Sequence, residues 1–351
     1  ASPDQVVTST VHAPRCRHSV GGLVVGQART GPRSGECAEL VDIDSHSPSM
    51  RRNATRVVPG GVAVSILAVP AGKVDGRMIR CYGTIGPRAN GEHMSWEMVD
   101  EGWGRRAADF AAMTEPAACR EYVAVHHRVG VDAGDRLLDI ACGSGLAMEL
   151  AALRGAACAG IDASQRLVSI ARDRIPDADV RVGDMNALPW SDESFEVATS
   201  FRGIWGTTPE AVREAHRVLT PGGRFAMTIW GNVGKSPGAW MFAPFRWAAE
   251  QQVQNQADMV SLGHPGVGEA FLSDHGFDVD ERFSIDFVLE APDPEAYARA
   301  LASTGPAYEA IQAIGEDDFL ERATELAASN VRPGLPIRVR IELFGYIGTK
   351  R

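Results

Sequence analysis

One stretch combines a carboxylate with a glycine-rich turn. Leu137-Leu138-Asp139-Ile140-Ala141-Cys142-Gly143-Ser144-Gly145 reads as an apolar strand running into a tight turn, with an amphipathic helix from Leu146. Glycines at such a turn let a ligand approach the backbone closely. Alone, this G-x-G leaves a nicotinamide enzyme open. The dinucleotide fingerprint wants a third glycine where this chain has Met148. Asp139, inside the turn motif, would repel a pyrophosphate and attract a cation. Gly183-Asp184-Met185 sets a second carboxylate beside an apolar side chain, a pairing that suits an adenine amino group and ring face. Each aspartate has a plainer use: Asp162 as a cap for a helix beginning near Gln165, Asp184 as a turn residue. Cys142 has no neighbouring histidine to form its thiolate and reads as packing. His216 reads as structural or solvated, and the adjacent His126 and His127 point apart on a helix rather than converging on a metal.

The elements that must position these residues alternate. Leu137–Ala141, Ala157–Ile161, Val180–Val182, Phe195–Ser200 and Phe225–Trp230 read as strands, and Leu146–Arg154, Gln165–Arg174 and Thr208–Leu219 as helices. Repeated β-α-β units imply a parallel, doubly wound α/β sheet with its crevice beyond the carboxyl ends of the strands. Trp96, Val99, Trp103, Ala107, Phe110 and Met113 recur at helical spacing, and Pro116 opens a second helix. Thr220-Pro221-Gly222-Gly223 reads as a helix stop and turn. Phe277–Leu289 and Ile337–Ile347 read as a closing antiparallel pair around helical stretches near Pro294–Ser303 and Asp317–Ala328, which predicts an inserted helical cap.

The 351 residues, 44% hydrophobic and 23% charged, exclude fibrous and disulfide-scaffold classes. A net charge of −10 disfavours the basic surface of a nucleic-acid binder, so no nucleic-acid partner is expected. Six scattered cysteines without a C-x-x-C pair encode neither a zinc site nor a disulfide framework, and reduced thiols point to the cytoplasm. Residues 1–93 carry seven acidic groups and eleven basic ones, with Gly, Pro, Ser and Arg in short runs and no sustained period. That segment is expected to be disordered or to lie outside the native product. Its apolar run, 62–71, contains Pro70 and is too short for the ~20 residues of a membrane helix, so no membrane span is expected.

Taken in order, the motifs resemble the class I S-adenosylmethionine-dependent methyltransferases, most closely the ubiquinone/menaquinone-type (methyltransferase type 11) branch, over about residues 100–232. Leu138 to Gly145 is similar to the first motif of that family, Gly160-Ile161-Asp162 to the acidic end of its second strand, Gly183-Asp184-Met185 to its adenine site, and Arg217 to Gly223 to its post-helix turn. The resemblance implies a Rossmann-like seven-stranded mixed sheet with a helical cap. It also implies S-adenosyl-L-methionine as cofactor, no metal, and a small-molecule methyl acceptor. A methyltransferase domain over 94–351 would comprise N-terminal helices (94–130), a cofactor-binding core (131–232), and a cap with sheet completion (233–351). Asp162 would accept hydrogen bonds from the ribose hydroxyls and Asp139 would favour the ammonium end. Ala141, Gly143 and Gly145 would line the methionine portion through their backbones, with Cys142, Ala163, Asp184, Met185 and Phe201 completing the cofactor contacts. On the acceptor side the candidates are Arg202, Trp205 and Trp103, with Phe110 and the cap aromatics Trp240, Phe242 and Phe245. Arg202 stands where close relatives often carry asparagine. Aromatic density there suggests a flat or hydrophobic acceptor. A non-catalytic cofactor-binding protein and a nicotinamide oxidoreductase stay open as alternatives.

Overall fold

The computed structural model describes residues 54–57, 63–66, 99–204, 208–247 and 258–351. The chain divides into two units, Ala1–Arg88 and Ala89–Arg351. In the first, β1 (Ala54–Val57) pairs antiparallel with β2 (Ala63–Ile66).

The second unit is built on a seven-stranded sheet. Its strands are β3 (Arg136–Ile140), β4 (Ala157–Asp162), β5 (Asp179–Val182), β6 (Phe195–Phe201), β7 (Leu219–Trp230), β8 (Phe277–Ala291) and β9 (Ile337–Lys350). They lie in the order β5-β4-β3-β6-β7-β9-β8. The first five are mutually parallel, and β9 runs antiparallel to both β7 and β8. Leu137, Leu138 and Ile140 of β3 are fully buried, as a strand covered on both faces requires. Chain order reverses between β3 and β6, which opens a crevice at their carboxyl ends.

The connecting helices begin where local chemistry tells them to. Before α4 (Gln165–Arg174), the Ser164 hydroxyl accepts the Leu167 N–H at 3.2 Å. Pro209 opens α5 (Pro209–Val218), and Pro294 opens α7 (Pro294–Ala302) behind an Asp293 cap. The remaining helices of the core and edge are α2 (Cys119–Val129), α3 (Leu146–Ala152) and α6 (Val267–Asp274). Between β8 and β9 the chain inserts α7, α8 (Gly305–Ile314) and α9 (Glu316–Ala328).

Four details depart from the sequence reading. The stretch expected as one helix before Pro116 is broken: π-type turns at Asp100–Gly104 and Phe110–Thr114 flank a short α1 (Ala107–Asp109), and a 3₁₀ turn at Glu115–Ala118 leads into α2. Thr220 to Gly223 follows the helix stop expected there, since α5 ends at Val218 and Gly222 turns at φ 73°, but it lies within β7, where the pairing with β6 slips between Phe195 and Val197. The helices α6 and α8 were not anticipated. Finally, Trp240, Phe242 and Phe245 belong to the cap's own core, where Trp240 packs on the fully buried Tyr297 at 5.1 Å and Phe242 on Trp230 at 5.3 Å.

His126 of α2 is 1% exposed, and neither ring nitrogen has a hydrogen-bond partner. Burial, with help from the nearby charge of Arg154, pushes its pKa down to about 4. The unfolded chain therefore binds this proton near pH 6.5 and the folded chain does not. Stability from this site is complete above about pH 6.5 and is lost as pH falls toward 4, by up to ~3 kcal/mol. Replacing His126 with Phe is expected to flatten that part of a urea-midpoint-versus-pH curve. An unchanged curve would place the acid sensitivity elsewhere.

Candidate cofactor and acceptor site

A cavity of about 290 Å³ opens at the carboxyl ends of β3 to β7. Its lining includes Asp139, Ala141, Cys142, Gly143, Asp162, Ala163, Asp184, Met185, Phe201, Arg202, Trp103 and Phe110. Gly145 is not among them. At φ +87° it starts α3 in a left-handed conformation, and a Cβ there would stand 2.8 Å from Ala171 Cβ. Gly145 thus brings α3 and α4 together. Trp205 lies outside the described residues, and the cap aromatics Trp240, Phe242 and Phe245 do not line the cavity. The wall expected from the cap comes instead from the broken helical stretch before α2, which supplies Val99, Trp103, Phe110 and Glu115. The cap braces that stretch from behind: Glu316 at the start of α9 binds Arg105 and Arg106, and Asp109 binds Arg299 of α7.

The turn after β3 alternates left-handed residues, Ala141 at φ 60°, Gly143 at 57° and Gly145 at 87°. For Ala141 this conformation costs of order 1 kcal/mol. Two things hold it: the following Cys142 N–H donates to Ile161 O at 2.9 Å, and Gly203 leaves room, since a Cβ there would stand 2.4 Å from Ala141 Cβ. Asp162 ties the turn to β4. Its Oδ2 accepts the Gly143 N–H at 2.9 Å and its Oδ1 the Ser164 N–H at 2.8 Å. Ser164, not Asp162, caps α4. Burial pushes Asp162 up to about 6, against those two hydrogen bonds.

Asp139 is 2% exposed and accepts the Thr199 hydroxyl at 2.7 Å. Burial, with the neighbouring charges of Glu115 and Asp162, pushes it up to about 8. Asp184 makes the turn contacts foreseen for it, accepting the Asn186 N–H at 2.9 Å, and it also lines the cavity beside the half-buried Met185. Burial pushes the Cys142 thiol far up, which fits packing and not nucleophilic attack.

Sequence reasoning missed two buried carboxylates. Glu115 accepts the Ser144 N–H at 3.1 Å and the Ser144 hydroxyl, and it pairs with Arg174. Burial pushes its carboxyl up while Ser144 and Arg174 pull it back. Glu121, wholly buried on α2, pairs with Arg202 Nε at 3.1 Å and accepts the Thr228 hydroxyl. A carboxylate on a helical stretch reads as solvated, and nothing local in the sequence points to the partners that bury these two.

The lining mixes acidic and aromatic groups. Asp139, Asp162 and Asp184, at the ends of β3, β4 and just past β5, join Glu115 as its carboxylates. Among its rings, Trp103 meets Phe110 edge-on at 5.8 Å, and Tyr122 meets Phe201 at 4.6 Å. Arg202 is the one cation among the described lining residues.

The family described as a methyltransferase domain matches residues 138–227, a segment that runs from β3 into β7 and carries all three cavity aspartates. The chain is 33% identical over 145 residues to the 27-O-demethylrifamycin SV methyltransferase of Amycolatopsis mediterranei, covering 37% of this chain and 53% of that protein. It is 32% identical over 120 residues to the demethylmenaquinone methyltransferase of Renibacterium salmoninarum, covering 34% and 48%. With the 2-phytyl-1,4-naphtoquinone methyltransferase of Synechococcus elongatus it shares 40% identity over 105 residues, covering 27% and 45%. The chain thus spans about half the length of the curated relatives it matches. The matched segment coincides with the strands and the glycine turn that build the cavity, so residues 138–227 of this chain are similar to a methyltransferase domain.

Proposed function

We propose that the protein transfers the methyl group of S-adenosylmethionine to a small, flat, hydrophobic acceptor. The observation that carries this reading is one cavity at the carboxyl ends of the strands lined both by carboxylates, Asp139, Asp162, Asp184 and Glu115, and by aromatic rings. The donor set fits that cofactor. Each Asp162 oxygen accepts one backbone N–H and retains a lone pair for a ribose hydroxyl. Asp184 and Met185 suit the adenine amino group and ring, and Asp139 suits a cationic ammonium or sulfonium. Burial keeps Asp139 largely protonated near neutral pH, and a bound cation would draw that proton off. Carboxylates that ionise against a bound cation favour such a ligand over a dinucleotide's pyrophosphate.

The cofactor brings an already activated methyl group, so the chain's own contribution is to hold the acceptor in line at roughly 3–3.5 Å and exclude water. The aromatic side chains on the acceptor side do this for a flat molecule. Two of the relatives are named as methyltransferases of 27-O-demethylrifamycin SV and of demethylmenaquinone. Among the described residues no helix is long and apolar enough to cross a membrane. We read the enzyme as cytoplasmic, without a nucleic-acid partner.

S-adenosylhomocysteine is expected to raise the melting temperature where NAD does not, and a labelled methyl group is expected to appear in a product one methyl heavier from a panel of aromatic acceptors. Stabilisation by NAD alone would overturn the reading. Binding of S-adenosylhomocysteine with no turnover across phenols, amines, carboxylates and carbon acids would reduce it to a cofactor-binding protein.

A further inference from the structure

The cavity lining holds one cation beside its carboxylates and rings. Arg202 sits there on a left-handed backbone, φ 59°, with its N–H donated to Thr228 O at 3.0 Å. Its side chain reaches toward β7 and β8. Its guanidinium lies 5.5 Å from the Trp230 ring and 5.1 Å from the Phe287 ring. Glu121 holds its Nε from the far side. The Arg202 side chain keeps 18% of its exposure, whereas Glu121 keeps none. The pair therefore presents its positive partner to the cavity and hides its negative one. A cation in such a place works against the binding of a sulfonium. A structural ion pair alone has no need to lie in the cavity wall.

We infer that Arg202, braced by Glu121, is the specificity-determining residue of the acceptor side and selects a planar acceptor bound as an oxyanion, a phenolate or enolate. This rests on the methyltransferase reading. The chemistry is consistent with it. A bond forms from the acceptor's nucleophilic atom to the methyl carbon while the carbon–sulfur bond breaks and leaves its electron pair on sulfur. An acceptor that arrives as the anion has left its proton in solvent, and the charges of anion and sulfonium cancel. The cavity then needs no general base, and the buried Glu121 serves only to position Arg202. A guanidinium over aromatic faces, partly screened from water, favours the ionised form of a bound hydroxyl over the neutral one.

The test uses 4-nitrophenol, whose ionisation is visible by absorbance, and 4-nitroanisole as its neutral counterpart, each titrated into the full chain with and without S-adenosylhomocysteine. The bound phenol is expected to ionise at least one pH unit below its free value, and 4-nitroanisole to bind at least tenfold more weakly than the phenolate. Arg202→Gln is expected to abolish the shift and weaken phenolate binding tenfold or more, with Arg202→Lys recovering part of it, while S-adenosylhomocysteine affinity changes less than threefold. Glu121→Gln, which removes only the counter-charge, is expected to retain or strengthen phenolate binding. Binding of the neutral phenol, a shift that survives Arg202→Gln, no binding of the probe, or equal losses in Arg202→Gln and Glu121→Gln would each overturn the assignment. A matching loss of S-adenosylhomocysteine affinity in Arg202→Gln would also do so, because Arg202 would then serve the cofactor's carboxylate. Failure of wild type to bind S-adenosylhomocysteine would count against the methyltransferase reading itself, separately from the phenolate shift.

Discussion

Glu115→Ala is expected to destabilise the fold by about 3–5 kcal/mol, the range for removing one partner of a buried ion pair. The carboxylate is 2% exposed, and Arg174 opposite it keeps 21%. Removing Glu115 strands the guanidinium against the glycine turn and leaves the Ser144 N–H and hydroxyl without their acceptor. Two backbone carbonyls temper the loss, since Arg174 also donates to Ser144 O at 3.2 Å and to Ala111 O at 3.0 Å. Glu115→Gln keeps an acceptor for Ser144 and gives up only the charge, so it is expected to fall between wild type and alanine. The measurement is the urea midpoint at constant slope. An unchanged midpoint in Glu115→Ala would mean that the carbonyls suffice, and that the carboxylate is present for the ligand and not for the fold.

Asp162→Ala is expected to weaken S-adenosylhomocysteine binding by ~1.5–3 kcal/mol, the range for hydrogen bonds to a charged group, or about 10- to 150-fold in Kd. Two losses add here. The ribose loses its acceptor, and the Gly143 and Ser164 N–H groups lose theirs, so the turn no longer arrives preformed. Asp162→Asn is expected to fall between wild type and alanine, because its single carbonyl oxygen can hold only one of the two N–H groups. The far-UV spectrum is expected to stay unchanged, since Ser164 caps α4 independently. An unchanged Kd by calorimetry would make Asp162 a pin for the turn and nothing more.

What the sequence made legible follows from where the signals are local. The apolar run of β3 followed by glycines specified a strand, a turn and a helix within nine residues, and the aspartates at the ends of β4 and β5 fell into place once the sheet was known to be parallel. Buried charges were not legible. Glu115, Glu121 and Arg174 sit on helical stretches where a carboxylate or guanidinium reads as solvated, and only the fold shows that Ser144, Arg202 and Thr228 meet them. The cap aromatics misled for a related reason. Trp240, Phe242 and Phe245 have the composition of a binding wall, but the same rings fill a core equally well, and here they pack beneath Tyr297 and Trp230.

The position of β9 has a consequence for how the sheet is completed. It follows every other described strand in sequence, yet it sits between β7 and β8 in the sheet. Without residues 337–350, β7 would have an unsealed edge and β8 no strand to pair with. Such edges are where strands from neighbouring chains join, so a chain that has not inserted β9 offers two long strands to its neighbours.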